Sequence, residues 1–121
     1  VEGRFIIDLG NAIGMILHDD FLASNRLEQK LTGIQNVEGS MVGVGGMAKM
    51  RRATVQSLLL GNFELGPTEV YLPESAGGMS ASRRIDGNIG NPILKQFTVL
   101  LDYERNHLVL YPPDSANSAA K

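Results

Sequence analysis

Residues 5–11 read FIIDLGN, and they decide how the rest of the chain is read. An apolar, β-prone run delivers a carboxylate, Asp8, directly into a glycine turn. Ionised carboxylates are costly to bury without a partner, so one placed beside a core has structural or chemical work to do. The pattern predicts a strand over residues 4–7 that ends in a turn over residues 8–11.

Outward from that turn, residues 13–17 form a second apolar run, and His18-Asp19-Asp20 suit the start of a short helix through Asn25, with aspartate accepting orphan amide protons. Residues 27–37 read as a polar connection with a turn at Thr32-Gly33. Residues 40–65 then place two extended arms around the tip Gly43-Val44-Gly45-Gly46, where glycine tolerates a tight hairpin. The second arm runs to residue 60, stops at Gly61-Asn62 and restarts at Phe63. A further strand at residues 69–72 ends at Pro73, and residues 75–82 read as a small-residue loop. Residues 86–91 open a second glycine turn that echoes the first, suggesting two similar half-units. Pro92 suits the first position of a short helix to Phe97. Residues 98–102 and 107–111 form a closing hairpin. Many short strands with little helix predict an all-β fold.

The 121 residues fit one domain, with 43% apolar and 20% charged residues, which is ordinary globular composition. A net charge of −2 without basic clusters argues against nucleic acid as a partner. No apolar stretch reaches the roughly 18 residues of a membrane-spanning helix. Cysteine is absent, which removes disulfides and thiolate metal sites, and leaves the compartment open, an extracytoplasmic one included. His18 and His107 have no metal-ligand spacing, and no cofactor is implied. The start at Val1 and the polar residues 114–121 predict a lobe over residues 1–113, cut from a longer parent, followed by a disordered tail or linker.

A carboxylate at a strand end suits catalysis by a carboxylate pair. Two such groups share one proton, because like charges about 3 Å apart cannot both ionise. The ionised member takes a proton from water while its neutral mate protonates the peptide carbonyl. This chain supplies one Asp-x-Gly of that kind, so the second must come from a twin copy or another lobe.

Four stretches, in order, resemble the retropepsin-like and pepsin-like aspartic proteases, including the bacterial gag-polyprotein-type domains. Residues 5–10 resemble the apolar-apolar-Asp-Thr-Gly signature. Residues 41–51 resemble the flap hairpin. Residues 85–97 are similar to the late apolar-Gly turn and helix, and residues 101–112 to the closing strands. The resemblance implies a closed, barrel-like lobe with one short helix and a flap hairpin. It implies catalytic roles for Asp8, Gly10 and Asn11, with Gly10 as a permissive turn. Val42, Gly43, Val44, Gly45, Gly46 and Met47 would cover a peptide or protein substrate, and Ile89-Gly90 would pack beneath the catalytic turn. Leu9 replaces the usual Thr or Ser, whose hydroxyl ties two catalytic turns together. Asn11 replaces the usual Ser or Ala, although its amide is able to donate to the aspartate. Asp-Leu-Gly-Asn resembles the second lobe of some bacterial two-lobed members.

Other readings of the same residues stand beside this one. Asp8 also suits a plain turn that accepts its own backbone amides. A catalytically degenerate lobe that binds peptide or mediates assembly fits the Leu9 departure. Gly43-x-Gly45-x-x-Ala48, with Glu64 downstream, formally matches a dinucleotide-binding fingerprint, although Ser40-Met41-Val42 makes a poor first strand. Asp102 reads as a hairpin residue.

Overall fold

The computed structural model describes residues 1–37, 41–43, 46–74 and 84–112. Short β-prone runs punctuated by glycine give, in chain order, β1 (Phe5–Ile7), β2 (Met15–Leu17), α1 (Asp19–Ser24), a 3₁₀ turn (Leu27–Gln29), β3 (Thr32–Asn36), β4 (Met41–Gly43) and β5 (Gly46–Ala48). There follow β6 (Met50–Val55), β7 (Leu58–Leu60), β8 (Phe63–Leu65), β9 (Thr68–Pro73), β10 (Gly87–Ile89), α2 (Asn91–Leu94), β11 (Thr98–Asp102) and β12 (His107–Tyr111). The described chain is all-β, with two short helices.

Among the described residues six strands form one sheet in the order β1-β10-β2-β9-β6-β3, and three hairpins, β4–β5, β7–β8 and β11–β12, are not hydrogen-bonded into it. Among the described residues this sheet is open, with β1 and β3 at its edges, rather than the closed barrel-like form expected. β10 lies parallel to β1 and antiparallel to β2, so a late segment is inserted between the first two strands. The two echoing glycine stretches are therefore neighbours in one sheet, with Ile7 opposite Ile89.

Two expectations about local structure are corrected. Residues 87–89, read as part of a turn, are a central strand. A Cβ on Gly87 would lie 2.1 Å from the Ile16 carbonyl oxygen and 2.7 Å from the Phe5 ring, so glycine is what lets three strands close up here. The polar connection after Leu27 contains β3, whose five residues are all exposed. An edge strand with no buried face carries no alternating apolar signal, and Gly33 at φ 62° accompanies an irregular register between Thr32 and Gln35.

The core gathers Met15, Leu17, Phe21, Leu22, Ala53, Val70, Leu72, Ile89, Ile93 and Leu94. Phe5 meets Phe21 edge-on with ring centroids 5.8 Å apart, which seats α1 against the start of the sheet. The helix begins where expected, but no side chain caps it; the N-cap residue is His18, with Asp19 and Asp20 in the first turn. Pro92 lies in the first turn of α2 as expected, while regular helix ends at Leu94 and residues up to Phe97 continue in tight turns. Pro73, expected to end a strand, is the last residue of β9 and pairs with Met50. The small-residue loop of residues 75–82 and the tail of residues 114–121 lie outside the described residues. No helix among the described residues is long and apolar enough to cross a membrane.

Candidate functional site

Asp8 leaves the end of β1 and is anchored to β10 at once: its main-chain N–H donates to the Ile89 carbonyl at 2.9 Å. The Asn11 N–H donates back to the Asp8 carbonyl at 3.1 Å and closes the turn. Among the described residues each carboxylate oxygen then has one donor. The Gly10 N–H reaches Oδ1 at 3.1 Å, and the Asn88 side-chain amide reaches Oδ2 at 3.2 Å. Asp8 is half-buried, and Leu9 and Gly10 beside it are exposed. One donor per oxygen leaves lone pairs on both, so the carboxylate remains able to engage water or a second carboxyl.

The other two members of the expected catalytic trio act differently from what was expected. Gly10 has no positive φ, and a Cβ there would sit 3.4 Å from Asp8 Oδ1. Its contribution is the N–H rather than conformational licence. Asn11 is buried and does not donate to the aspartate: its Nδ2 donates to the Gly14 carbonyl at 2.7 Å, and its Oδ1 accepts the Ile13 N–H at 2.9 Å. It staples the loop between β1 and β2. Ile89 and Gly90 do pack against the turn, since the Gly90 N–H donates to the Gly14 carbonyl at 2.9 Å and the Asn91 N–H to the Asn11 carbonyl at 2.9 Å. The Asn91 side chain also donates to the Leu9 carbonyl.

Two residues to which the sequence pattern gave no role beside Asp8 complete the cluster. Asn88, on β10, donates to Asp8 and turns its amide oxygen to His18 Nε2 at 2.9 Å. His18 is 2 % exposed, and its Nδ1 lies 2.9 Å from the Ile85 carbonyl oxygen. An Asn is a poor strand former, and a polar side chain inside a central strand needs partners. That signal is readable only once residues 87–89 are recognised as a strand.

Of the expected substrate-covering residues, Val42 pairs with Met47 and Gly43 with Gly46 across the β4–β5 hairpin, while Val44 and Gly45 lie outside the described residues. The dinucleotide-binding reading fails here. Its fingerprint requires a strand, a turn and a helix, whereas β4 turns back into β5 and then β6. Glu64 is held within the β7–β8 hairpin by the Ser57 hydroxyl at 2.8 Å. Asp102 accepts the Arg105 N–H at 3.0 Å and pairs with its guanidinium, as a hairpin residue does. A cavity of about 850 Å³, lined by Phe5, Leu17, Phe21, Leu27, Leu58 and Leu60 among others, lies between the sheet, α1 and the β7–β8 hairpin. Asp8 does not line it, so this apolar hollow and the carboxylate are separate features.

Comparison of the chain with protein-family models, curated proteins and solved structures gives no match. The chemistry of Asp8 and its neighbours is therefore what carries a functional reading.

Proposed function

We propose that the chain is a retropepsin-like lobe of an aspartic endopeptidase, in which Asp8 pairs with a second aspartate from a twin copy or a partner lobe and activates water on a peptide. One observation carries this reading: a half-buried carboxylate at a strand end, with one donor on each oxygen and an exposed edge beside it. The lone pairs that remain on the carboxylate suit a shared proton with a facing carboxyl. The parallel pairing of β1 with β10 brings the Asp8 turn and the Gly90 turn side by side, which supports the packing of Ile89-Gly90 beneath the Asp8 turn that the resemblance implies. The β4–β5 hairpin supports the flap reading in the same way.

Leu9 favours a second reading, the degenerate lobe that binds peptide or mediates assembly. Its side chain is 56 % exposed next to the carboxylate and offers no hydroxyl to tie two turns together. Digestion of an unfolded protein from acidic to neutral pH, with and without a statine-type peptide, separates the two. The peptidase reading expects cleavage that the inhibitor blocks. The degenerate reading expects peptide binding without cleavage, and renewed cleavage in Leu9→Thr if the absent hydroxyl is the defect.

A further inference from the structure

His18, Asn88 and Asp8 form a continuous hydrogen-bonded chain from the interior to the surface. A carbonyl oxygen only accepts, so Nδ1 of His18, facing the Ile85 carbonyl, carries a proton. The Asn88 amide has two orientations, and each fixes the rest of the chain. With Nδ2 toward Asp8, the amide oxygen faces Nε2, which must then carry a second proton while Asp8 accepts as a carboxylate. With the amide turned over, Nε2 is bare and accepts, and the amide oxygen faces a carboxyl that must be protonated in order to donate. Both arrangements match a donor to an acceptor at each link of the chain and hold the same number of protons. Any mixed state sets two lone pairs or two protons against each other in a partly buried chain that ends on fully buried His18, where an unmet polar group is costly.

We propose that Asn88 is a two-position coupler through which buried His18 governs the charge of Asp8: ionised Asp8 goes with doubly protonated His18, and protonated Asp8 with neutral His18. The proposal deepens the peptidase reading and rests on it for its catalytic meaning. In a pair of aspartates sharing one proton, a doubly protonated His18 makes Asp8 the ionised member, the one that takes the proton from water. His18 and Asn88 are then positioning residues, since neither reaches substrate. The other charged groups around His18 are Asp19, which follows it in the chain, and, interacting with Asp19, Glu28 and Arg51. On the opposite side the Asp86 carbonyl accepts the His18 N–H, and the Asp86 carboxylate is tied to the Arg4 N–H. None of these other groups stands between His18 and Asp8 in the chain of hydrogen bonds. The coupling therefore runs through Asn88.

The test is ¹⁵N NMR of the His18 ring at neutral pH in the isotope-labelled protein and in Asp8→Asn. With Asp8 in place, both ring nitrogens show protonated signatures. In Asp8→Asn the balancing charge is gone, the Asn88 amide turns over, and the Nε2 proton is lost. A His18 ring that is unchanged between the two proteins overturns the coupling, because a merely structural histidine would not register the change at position 8. Asn88→Leu provides the second arm: in that background Asp8→Asn leaves the ring as it was, and a ring that still responds also overturns the proposal. This readout needs no turnover. Ring changes without any peptide cleavage would refute the peptidase reading and leave the coupling standing, whereas cleavage with an unresponsive ring would do the reverse.

Discussion

The main-chain N–H of Asp8 donates to the carbonyl of Ile89 at 2.9 Å, so the carboxylate is fixed to a strand from the far end of the chain rather than to its own loop alone. Local sequence builds the turn, and the long-range pairing of β1 with β10 holds it in place. The consequence is a site whose backbone does not depend on the carboxylate itself. Asp8→Asn keeps the turn and loses only charge-assisted hydrogen bonds at a half-exposed group. The expected cost in urea unfolding is below about 1.5 kcal/mol, with the circular dichroism of the folded protein unchanged.

The glycines around the site separate by what surrounds them. A Cβ on Gly90 would stand 2.5 Å from the Asn11 carbonyl oxygen and 2.8 Å from that of Gly14, both backbone atoms that cannot yield without moving the turn. Gly90→Ala is expected to cost about 3 kcal/mol or more, or to prevent folding. Gly10→Ala meets only the Asp8 oxygen at 3.4 Å and needs no left-handed backbone, so its cost stays within about 1 kcal/mol. Denaturant midpoints of the two variants measure the contrast.

Leu72 is fully buried where β9 crosses the middle of the sheet, whereas Leu59 in the β7–β8 hairpin is 69 % exposed. Leu72→Ala should lose about 2–5 kcal/mol, through lost transfer energy and the cavity left behind. Leu59→Ala should change stability by less than about 0.5 kcal/mol. Equal losses in the two would mean that the core has been misplaced.

Acid should weaken the fold partly through Glu28. Its carboxylate accepts a hydrogen bond from Arg51 at 2.6 Å, which ties the 3₁₀ turn to β6 and holds Glu28 below its ordinary value of 4.5. Because the folded-state value is the lower one, the stabilisation is fully present above the ordinary value and is lost as pH falls through the folded one. Both side chains are partly exposed, so solvent screening limits the contribution to less than about 1 kcal/mol. Glu28→Gln should flatten that part of the stability-against-pH curve and leave the neutral-pH value within the same limit.

The strand and turn at Asp8, the short helices near Asp19 and Pro92, the β7–β8 turn and the closing hairpin were legible, because each carries local chemistry: an apolar run, an aspartate or proline at a helix start, or a glycine turn. β10 was not, because its composition is that of a turn and its strand character comes from two neighbours distant in sequence. β3 was hidden for the opposite reason, having no buried face to print a pattern. At the site, Asp8 stood out as a carboxylate at a strand end. Asn88 and His18 depend on β10 lying between β1 and β2, which no local pattern announces.

The most direct measurement is cleavage of an unfolded protein substrate from acidic to neutral pH by the protein and by Asp8→Asn, at concentrations high enough for two copies to meet. The account predicts cleavage that depends on protein concentration, is blocked by a statine-type peptide and disappears in Asp8→Asn. Cleavage that persists undiminished in Asp8→Asn would contradict it, as would the absence of cleavage at every pH and concentration, with or without the partner lobe.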